Sequence, residues 1–330
     1  PMFLRMMNTA PELMAESTLY LRIYFAGILF VFIYNMGASI LRAAGDSKRP
    51  LYYLIVCCVL NIILDIVMVV FLDMGVAGAA IATLIAQAAS AILVTRALIK
   101  SDDMLHLSLK EIRFYPQVLR SQLHIGFPGG LQSVMYSFSN IVIQAALNSY
   151  GTDTVAAWAA YGKLDAIYWM ISGAFGIAIT TFVGQNYGAG KTSRIKRSVK
   201  ICLGMDLVAA AVLILFLILA RVPLFRIFTT DANVINVGIR MLEMITPCYI
   251  FFVFIEILSG ALRGIGDVLI PTLLTMCGIC LLRIAWVLFI VPLSPSVATI
   301  IYSYPVTWIL SAVLFILYYW HRQKSLSVYS

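Results

Sequence analysis

The stretch L-R-A-A-G-D-S-K-R-P (Leu41 to Pro50) returns 221 residues later as L-R-G-I-G-D-V-L-I-P (Leu262 to Pro271). In each copy a glycine and an aspartate stand between an apolar run and a proline. The glycine suits a compact turn, the aspartate accepts hydrogen bonds from nearby amides, and the proline suits the first turn of a new helix. Arg42, Gly45, Asp46 and Pro50 thus pair with Arg263, Gly266, Asp267 and Pro271. At the same offset Arg5 meets Arg226, Thr9 meets Thr230, Leu21 meets Leu242 and Phe30 meets Phe251. Val76 and Ala77 still meet Val297 and Ala298 with no gap. Polar and glycine positions held in register over about 70 residues imply an internal duplication.

The flanks of these phrases are greasy. The chain is 62% hydrophobic and 12% charged, with a mean hydropathy of +0.96. A watery surface needs about twice that charged fraction. Nine apolar runs are long enough to cross a bilayer: 20–41, 50–72, 75–98, 123–147, 154–182, 199–220, 236–262, 268–292 and 296–320. The fold class expected is an all-α integral membrane protein with nine transmembrane helices.

The net charge of +8 does not point to nucleic acid, because its distribution is one-sided. Sixteen of the 23 Lys and Arg fall on one side of the nine spans, among them Arg42, Lys48, Arg49, Lys191, Lys200 and Arg322. Five fall on the other side. This asymmetry puts both G-D loops and the C-terminus in the cytoplasm of a multi-pass protein of the cell membrane. The six cysteines all lie inside spans, without histidines at metal-ligand spacing, and read as packing residues.

Span one matches span seven, so six spans separate the copies. An even number preserves orientation, which makes this a parallel repeat of a six-helix unit. Residues 122–330 are then a complete C-terminal six-helix bundle, 100–121 a cytoplasmic linker, and 1–99 the last half of an N-terminal bundle. The count implies three further helices ahead of Pro1, and hence the C-terminal three quarters of a twelve-helix, two-bundle protein. His106, in the linker, is expected to be exposed.

Several phrases carry a family resemblance. V-G-Q-N-Y-G-A-G-K (Val183 to Lys191), G-F-P (Gly126 to Pro128) and N-I-I-L-D (Asn61 to Asp65) join the two L-R-x-x-G-D segments and their outer-side partners L-R-M-M-N-T-A-P-E and F-R-I-F-T-T-D-A-N. In this order they resemble the multidrug and toxic compound extrusion (MATE) transporters, over family helices four to twelve. The resemblance implies two six-helix bundles around a central cavity. It further implies a secondary active antiporter exporting small organic, often cationic, compounds against proton or sodium entry, with no cofactor and no enzymatic step. A lipid-linked saccharide flippase is the alternative, because related families share the helix count. A membrane-embedded enzyme lacks support, since no span carries a His-rich cluster or a nucleophile–base pair. A nonfunctional fragment is a separate reading. The partners expected are the transported molecule and membrane lipid, not nucleic acid, with a monomer when complete.

Ionisable groups inside spans are costly and are weighed one by one. Glu256, near the middle of span seven, resembles an acidic residue facing the family's C-terminal cavity. It either binds a cationic substrate, couples transport through protonation, or forms a structural hydrogen bond. Its repeat partner is Asn35. Asp65 shares a helix face with Asn61, four residues away, and either binds a cation or is satisfied by that asparagine. Asp165 is a cavity candidate, while Lys163, two residues earlier, does not share its face. Tyr136 stands where several family members carry a glutamate, with Gln132 one turn earlier, so any mechanism through that glutamate is in doubt here. Arg283 reaches an acidic neighbour or a polar cavity.

Gly126 and Pro128 are placed near a helix start, and Pro247 near a kink in span seven. Gly184, Gln185, Asn186 and Gly188 are expected to shape a turn or bundle contact at the inner membrane edge. Their spacing lacks the phosphate-binding G-x-x-x-x-G-K-[S/T] frame, so ATP drive has no support.

Overall fold

The computed structural model of the protein describes residues 11–101 and 105–328. The fold is an all-α, multi-pass membrane fold, and no strand occurs among the described residues. The chain divides between Phe114 and Tyr115 into two compact units.

The first unit holds α1 (Met14–Ala43), α2 (Lys48–Phe71) and α3 (Gly75–Ile99). α1 and α3 pack closely because Gly27 and Gly37 leave room for Leu84 and Val94. Leu41, Val94 and Leu98 form the core there. α2 buries only Pro50 in its α-helical part, leaving an apolar exterior suited to lipid.

The second unit holds α4 (Pro116–Asn148), α5 (Thr152–Gly188), α6 (Thr192–Leu219), the short α7 (Arg221–Arg226), α8 (Ala232–Ile245), α9 (Tyr249–Gly264), α10 (Leu269–Leu293) and α11 (Val297–Val328). Its core includes Trp308, Tyr168, Tyr249, Phe225 and Phe315. Pro247 separates α8 from α9 through a 3-10 turn at Thr246–Cys248, as a residue without an N–H donor interrupts an α-helix.

Eight stretches among the described residues are long and apolar enough to cross a membrane, α8 and α9 together forming one of them. α4 is long enough but more polar, for a reason visible in its sequence. Gln132, Tyr136, Asn140, Gln144 and Asn148 recur every fourth residue along it. α4 also starts at Pro116, a favoured first helical position. Gly126 and Pro128 therefore lie inside this helix and not near its start, which corrects the sequence-based expectation.

The duplication has a structural counterpart. α1 ends at Ala43 and α9 at Gly264; α2 begins at Lys48 and α10 at Leu269, each pair 221 apart. A π-helical turn at Ile66–Phe71 meets another at Trp286–Ile290 within one to two residues of the same offset. Arg5 and Thr9 lie outside the described residues.

Both G-D turns close in the same way. Gly45 N–H donates to Arg42 O at 2.9 Å and Asp46 N–H to Leu41 O at 2.9 Å; Gly266 donates to Arg263 O and Asp267 to Leu262 O, both at 3.0 Å. This is the hydrogen-bond pattern of a helix ended by a left-handed residue. The φ angles of Gly45 and Gly266 are +93° and +86°. The third such turn, after α5, puts its positive φ of +68° on Gly190, two residues beyond Gly188. Asn186 there binds Phe182 O through its Nδ2 at 2.8 Å, and Gly184 lies against the Gly264 carbonyl.

The two aspartates differ in what they hold. Asp46 Oδ1 accepts from the Lys48 and Arg49 amides at 3.1 Å, and Oδ2 pairs with Arg49 Nε at 2.7 Å. Asp267 Oδ2 instead accepts from Tyr318 Oη at 2.6 Å and pairs with Arg322 Nε at 3.2 Å, tying its turn to α11. Replacing Gly266 with alanine is expected to lower stability by about 1–2 kcal/mol through its backbone angle alone. No atom lies within 4 Å of the added Cβ. A thermal-unfolding series of Ala and Asn at this position checks it, Asn being the milder change.

Candidate functional site

The site grows from the break at Pro247. It leaves Tyr249 at the start of α9, where its ring stacks on Tyr168 of α5 with centroids 3.8 Å apart and planes 4° from parallel. Tyr168 Oη donates to Tyr249 O at 3.0 Å, locking the two helices together beside the break. Tyr249 Oη is thereby aimed at Asp165 Oδ1, to which it donates at 2.5 Å.

Two more donors converge on the same carboxylate. Tyr161 Oη donates to Oδ1 at 3.3 Å and Trp169 Nε1 to Oδ2 at 2.6 Å. Tyr161 and Trp169 stand one turn either side of Asp165 on α5, so the helix itself supplies them. Asp165 thus takes its hydrogen bonds from three neutral donors. Tyr249→Phe keeps the stack and loses the shortest of these bonds. A cost of about 1.5–3 kcal/mol is expected, the range for a hydrogen bond to a charged group, read as a lowered Tm.

Asp165 faces a cavity of about 570 Å³ within the second unit. α4 lines it with Gln132, Tyr136, Asn140 and Gln144, the four-residue stripe that made this helix too polar to resemble its neighbours. α5 adds Trp158, Tyr161 and Trp169; α9 adds Phe252 and Glu256; α10 and α11 add Arg283 and Tyr304. Trp308, 1% exposed, packs behind this wall against Trp169, Phe252 and Tyr304. A cavity of this size, apolar and aromatic with a few fixed polar groups, has the make-up of a small-molecule site.

Glu256 enters the cavity from α9. Its Oε1 lies 3.5 Å from Arg263 Nη2, and Arg263 also donates to Ser259 Oγ at 3.0 Å. The carboxyl occupies space that only a glycine at position 176 leaves, since a Cβ there would collide with it. Arg283 is 2% exposed and lays its guanidinium over the Tyr304 ring, 3.9 Å from the centroid. Of its two expected destinations, the polar cavity is the one observed.

The structure therefore brings Gln132, Tyr136, Asp165 and Glu256 around one space. Asn35, Asn61 and Asp65 belong to the first unit. Asn35 is exposed on α1. Asn61 does not satisfy Asp65: Asn61 Nδ2 and Asp65 Oδ1 are both enclosed without a hydrogen-bond partner, which corrects that alternative. The side chains share a face without bonding, since helical spacing sets proximity and not orientation.

Asp206 on α6 escaped the sequence reading. It is 0% exposed, accepts from Ser172 Oγ at 3.2 Å, and its Oδ1 has no partner. The signal was present, a lone carboxylate in the run I-C-L-G-M-D-L-V-A-A, and the cost of charge in hydrocarbon singles it out. Among the described residues no group of three or more His, Cys, Asp or Glu could hold a metal ion.

Known proteins share this chain's sequence and fold. It is 29% identical over 284 residues to the probable multidrug resistance protein YoeA of Bacillus subtilis, covering 84% of this chain and 61% of that one. It is 26% identical over 270 residues to the FAD transporter of Shewanella oneidensis, covering 80% and 60%. The chain thus spans about three fifths of the length of these curated relatives. An outward-facing multidrug resistance MATE family transporter of the MOP superfamily matches with a TM-score of 0.90 at 20% identity, covering 98% of this chain and 73% of that one. A MOP superfamily transporter from Pyrococcus furiosus matches with a TM-score of 0.92 at 19% identity and the same coverage. These two likenesses are of fold. The sequence model of the MatE family matches residues 1–67 and 128–289, well over half of the chain, and the chain belongs to that family.

Proposed function

We propose that the protein is a secondary active efflux transporter of small organic, mainly cationic or amphipathic, molecules. The observation that carries this reading is the cavity at α4, α5, α9, α10 and α11, lined by two carboxylates from different helices and a set of aromatic rings. Aromatic faces attract organic cations, and a carboxylate near them adds charge selectivity. Entry of a proton or a sodium ion drives export if that ion prefers one of two conformations and the substrate the other. Glu256 is the group we assign to that coupling, with Asp165, Tyr136 and Gln132 on the substrate. Asn35, Asn61 and Asp65 are the candidates in the first unit.

The architecture belonging to this reading has α4 as a ninth crossing. It consists of residues 1–99 from an N-terminal bundle, a cytoplasmic linker at 100–121, and a six-helix bundle at 122–330. The twelve-helix transporter works as a monomer in the cell membrane with its C-terminus in the cytoplasm. The G-D turns and the segment Gly184, Gln185, Asn186 and Gly188 act as its joints.

The test is dye efflux from proteoliposomes holding the full-length protein, with sodium and proton gradients imposed separately. Export driven by one gradient identifies the coupling ion. Failure with both, together with translocation of a lipid-linked sugar, replaces this reading with a flippase.

A further inference from the structure

A second concavity, a groove of about 460 Å³ between α5 and α6, shares no lining residue with the aromatic cavity. Phe175 and Phe182 of α5 and Ile201 and Met205 of α6 line it, together with Arg194 and Arg197. Arg194, Arg197, Ile201 and Met205 follow one another at steps of three and four residues. They therefore form one stripe along α6, basic in its first turns and apolar beyond. Helical side chains lean toward the N-terminus, which carries both guanidinium groups toward the turn after α5 and away from the apolar floor. From Arg194 to Met205 α6 advances about 17 Å, against about 15 Å for one leaflet of a hydrocarbon core about 30 Å thick. The groove is as long as one leaflet and is basic at one end only.

Both arginines are exposed, and among the described residues no carboxylate comes within the 4.0 Å of an ion pair with either. Between Asp165 and Asp206 the chain holds no acidic residue, while Lys191, Lys196 and Lys200 join the arginines at this end. Asp206, beside Met205, is fully buried and turned to Ser172. Glu256 and Asp267 are paired with Arg263 and Arg322. A flat apolar face meets any acyl chain, whereas a groove that ends in guanidinium groups selects a head group as well. We propose that this groove binds one anionic phospholipid, with its phosphate on Arg194 and Arg197 and an acyl chain along Phe175, Phe182, Ile201 and Met205. A guanidinium offers two parallel N–H donors that match phosphate oxygens. A zwitterionic lipid brings the same phosphate together with a cation, which the surrounding basic side chains repel; a lipid of net negative charge is free of that cost. On the topology proposed above, the lipid belongs to the cytoplasmic leaflet.

The probes are dioleoyl phosphatidylglycerol and dioleoyl phosphatidylcholine, which share acyl chains and differ in head-group charge. Each is titrated into the purified full-length protein in a neutral detergent, and retention of the first lipid is followed by native mass spectrometry. The wild type is expected to hold the first phosphatidylglycerol about tenfold more tightly than phosphatidylcholine. Arg194→Gln/Arg197→Gln should erase that preference. Lys196→Gln/Lys200→Gln, which removes the same charge from another face of α6, should change it by less than about twofold. Inorganic phosphate at millimolar concentration should not displace the lipid, because the acyl chain carries part of the binding. Equal retention of the two lipids by the wild type overturns the site, whether the groove is then bare or filled by another segment of the chain. An equal loss in both double variants also overturns it, since the attraction would then be a diffuse surface charge. Displacement by phosphate overturns it too, by reducing the groove to a simple anion site. The wild-type comparison of the two lipids stands even if a variant fails to fold.

Discussion

Glu256→Gln is expected to lower ion-driven export at least tenfold while membrane insertion and Tm stay close to wild type. Glutamine fills the volume that Gly176 leaves open and still presents an oxygen to Arg263, which lies two turns along the same face of α9. What it cannot do is ionise, or exchange a proton or cation. A group whose only duty were packing or hydrogen bonding would tolerate this change. A coupling group would not, because the difference in affinity between conformations that drives transport would vanish. The measurement is gradient-driven dye efflux per inserted molecule in proteoliposomes. Wild-type rates in the variant would remove Glu256 from the mechanism.

Gly260→Val should be the most damaging single substitution at the crossing of α5 and α9. A Cβ at Gly260 would lie 2.8 Å from Ile179 Cγ2 and 2.9 Å from the Gly176 carbonyl oxygen. The first neighbour can rotate; the second is backbone and cannot. Gly264 repeats the problem one turn on, 2.8 Å from the Thr180 carbonyl. Thr180 Oγ1 bridges the helices by donating to Gly260 O at 3.0 Å, so separation would also break that bond. Overpacking costs about 1–3 kcal/mol where a core can yield, and more where backbone meets backbone. The expected outcome is loss of most monodisperse protein on extraction. Gly204→Ala, in open space on α6, serves as the unaffected control. A folded, thermally normal Gly260→Val protein would refute the close-crossing argument.

Composition and charge asymmetry made the membrane class readable, and the 221-residue offset located element boundaries that coincide in the structure. The polar stripe on α4 is equally legible from spacing, whereas the family motif singles out only Gln132 and Tyr136 within it. Asp206 obeys the same rule as Glu256, a lone carboxylate in an apolar span. The donors around Asp165 were a different matter. Tyr161 and Trp169 follow from the period of one helix, but Tyr249 stands 84 residues away and arrives only through the break at Pro247. The same holds for Arg283 and Tyr304, which meet across two helices. Periodicity reports which residues share a face; it carries no information about which faces meet.

The stripe on α4 has a mechanical consequence of its own. Four residues advance a helix by about 6 Å and by about 400°, so each successive rung is turned about 40° from the last. The polar line is therefore a slant, and from Gln132 to Gln144 it winds about 120° around the helix. A slanted line converts rotation into travel. Turning α4 about its axis by 40° moves the point of polar contact about one rung along the cavity without withdrawing it. A molecule held there would exchange one polar side chain for the next while remaining hydrogen-bonded.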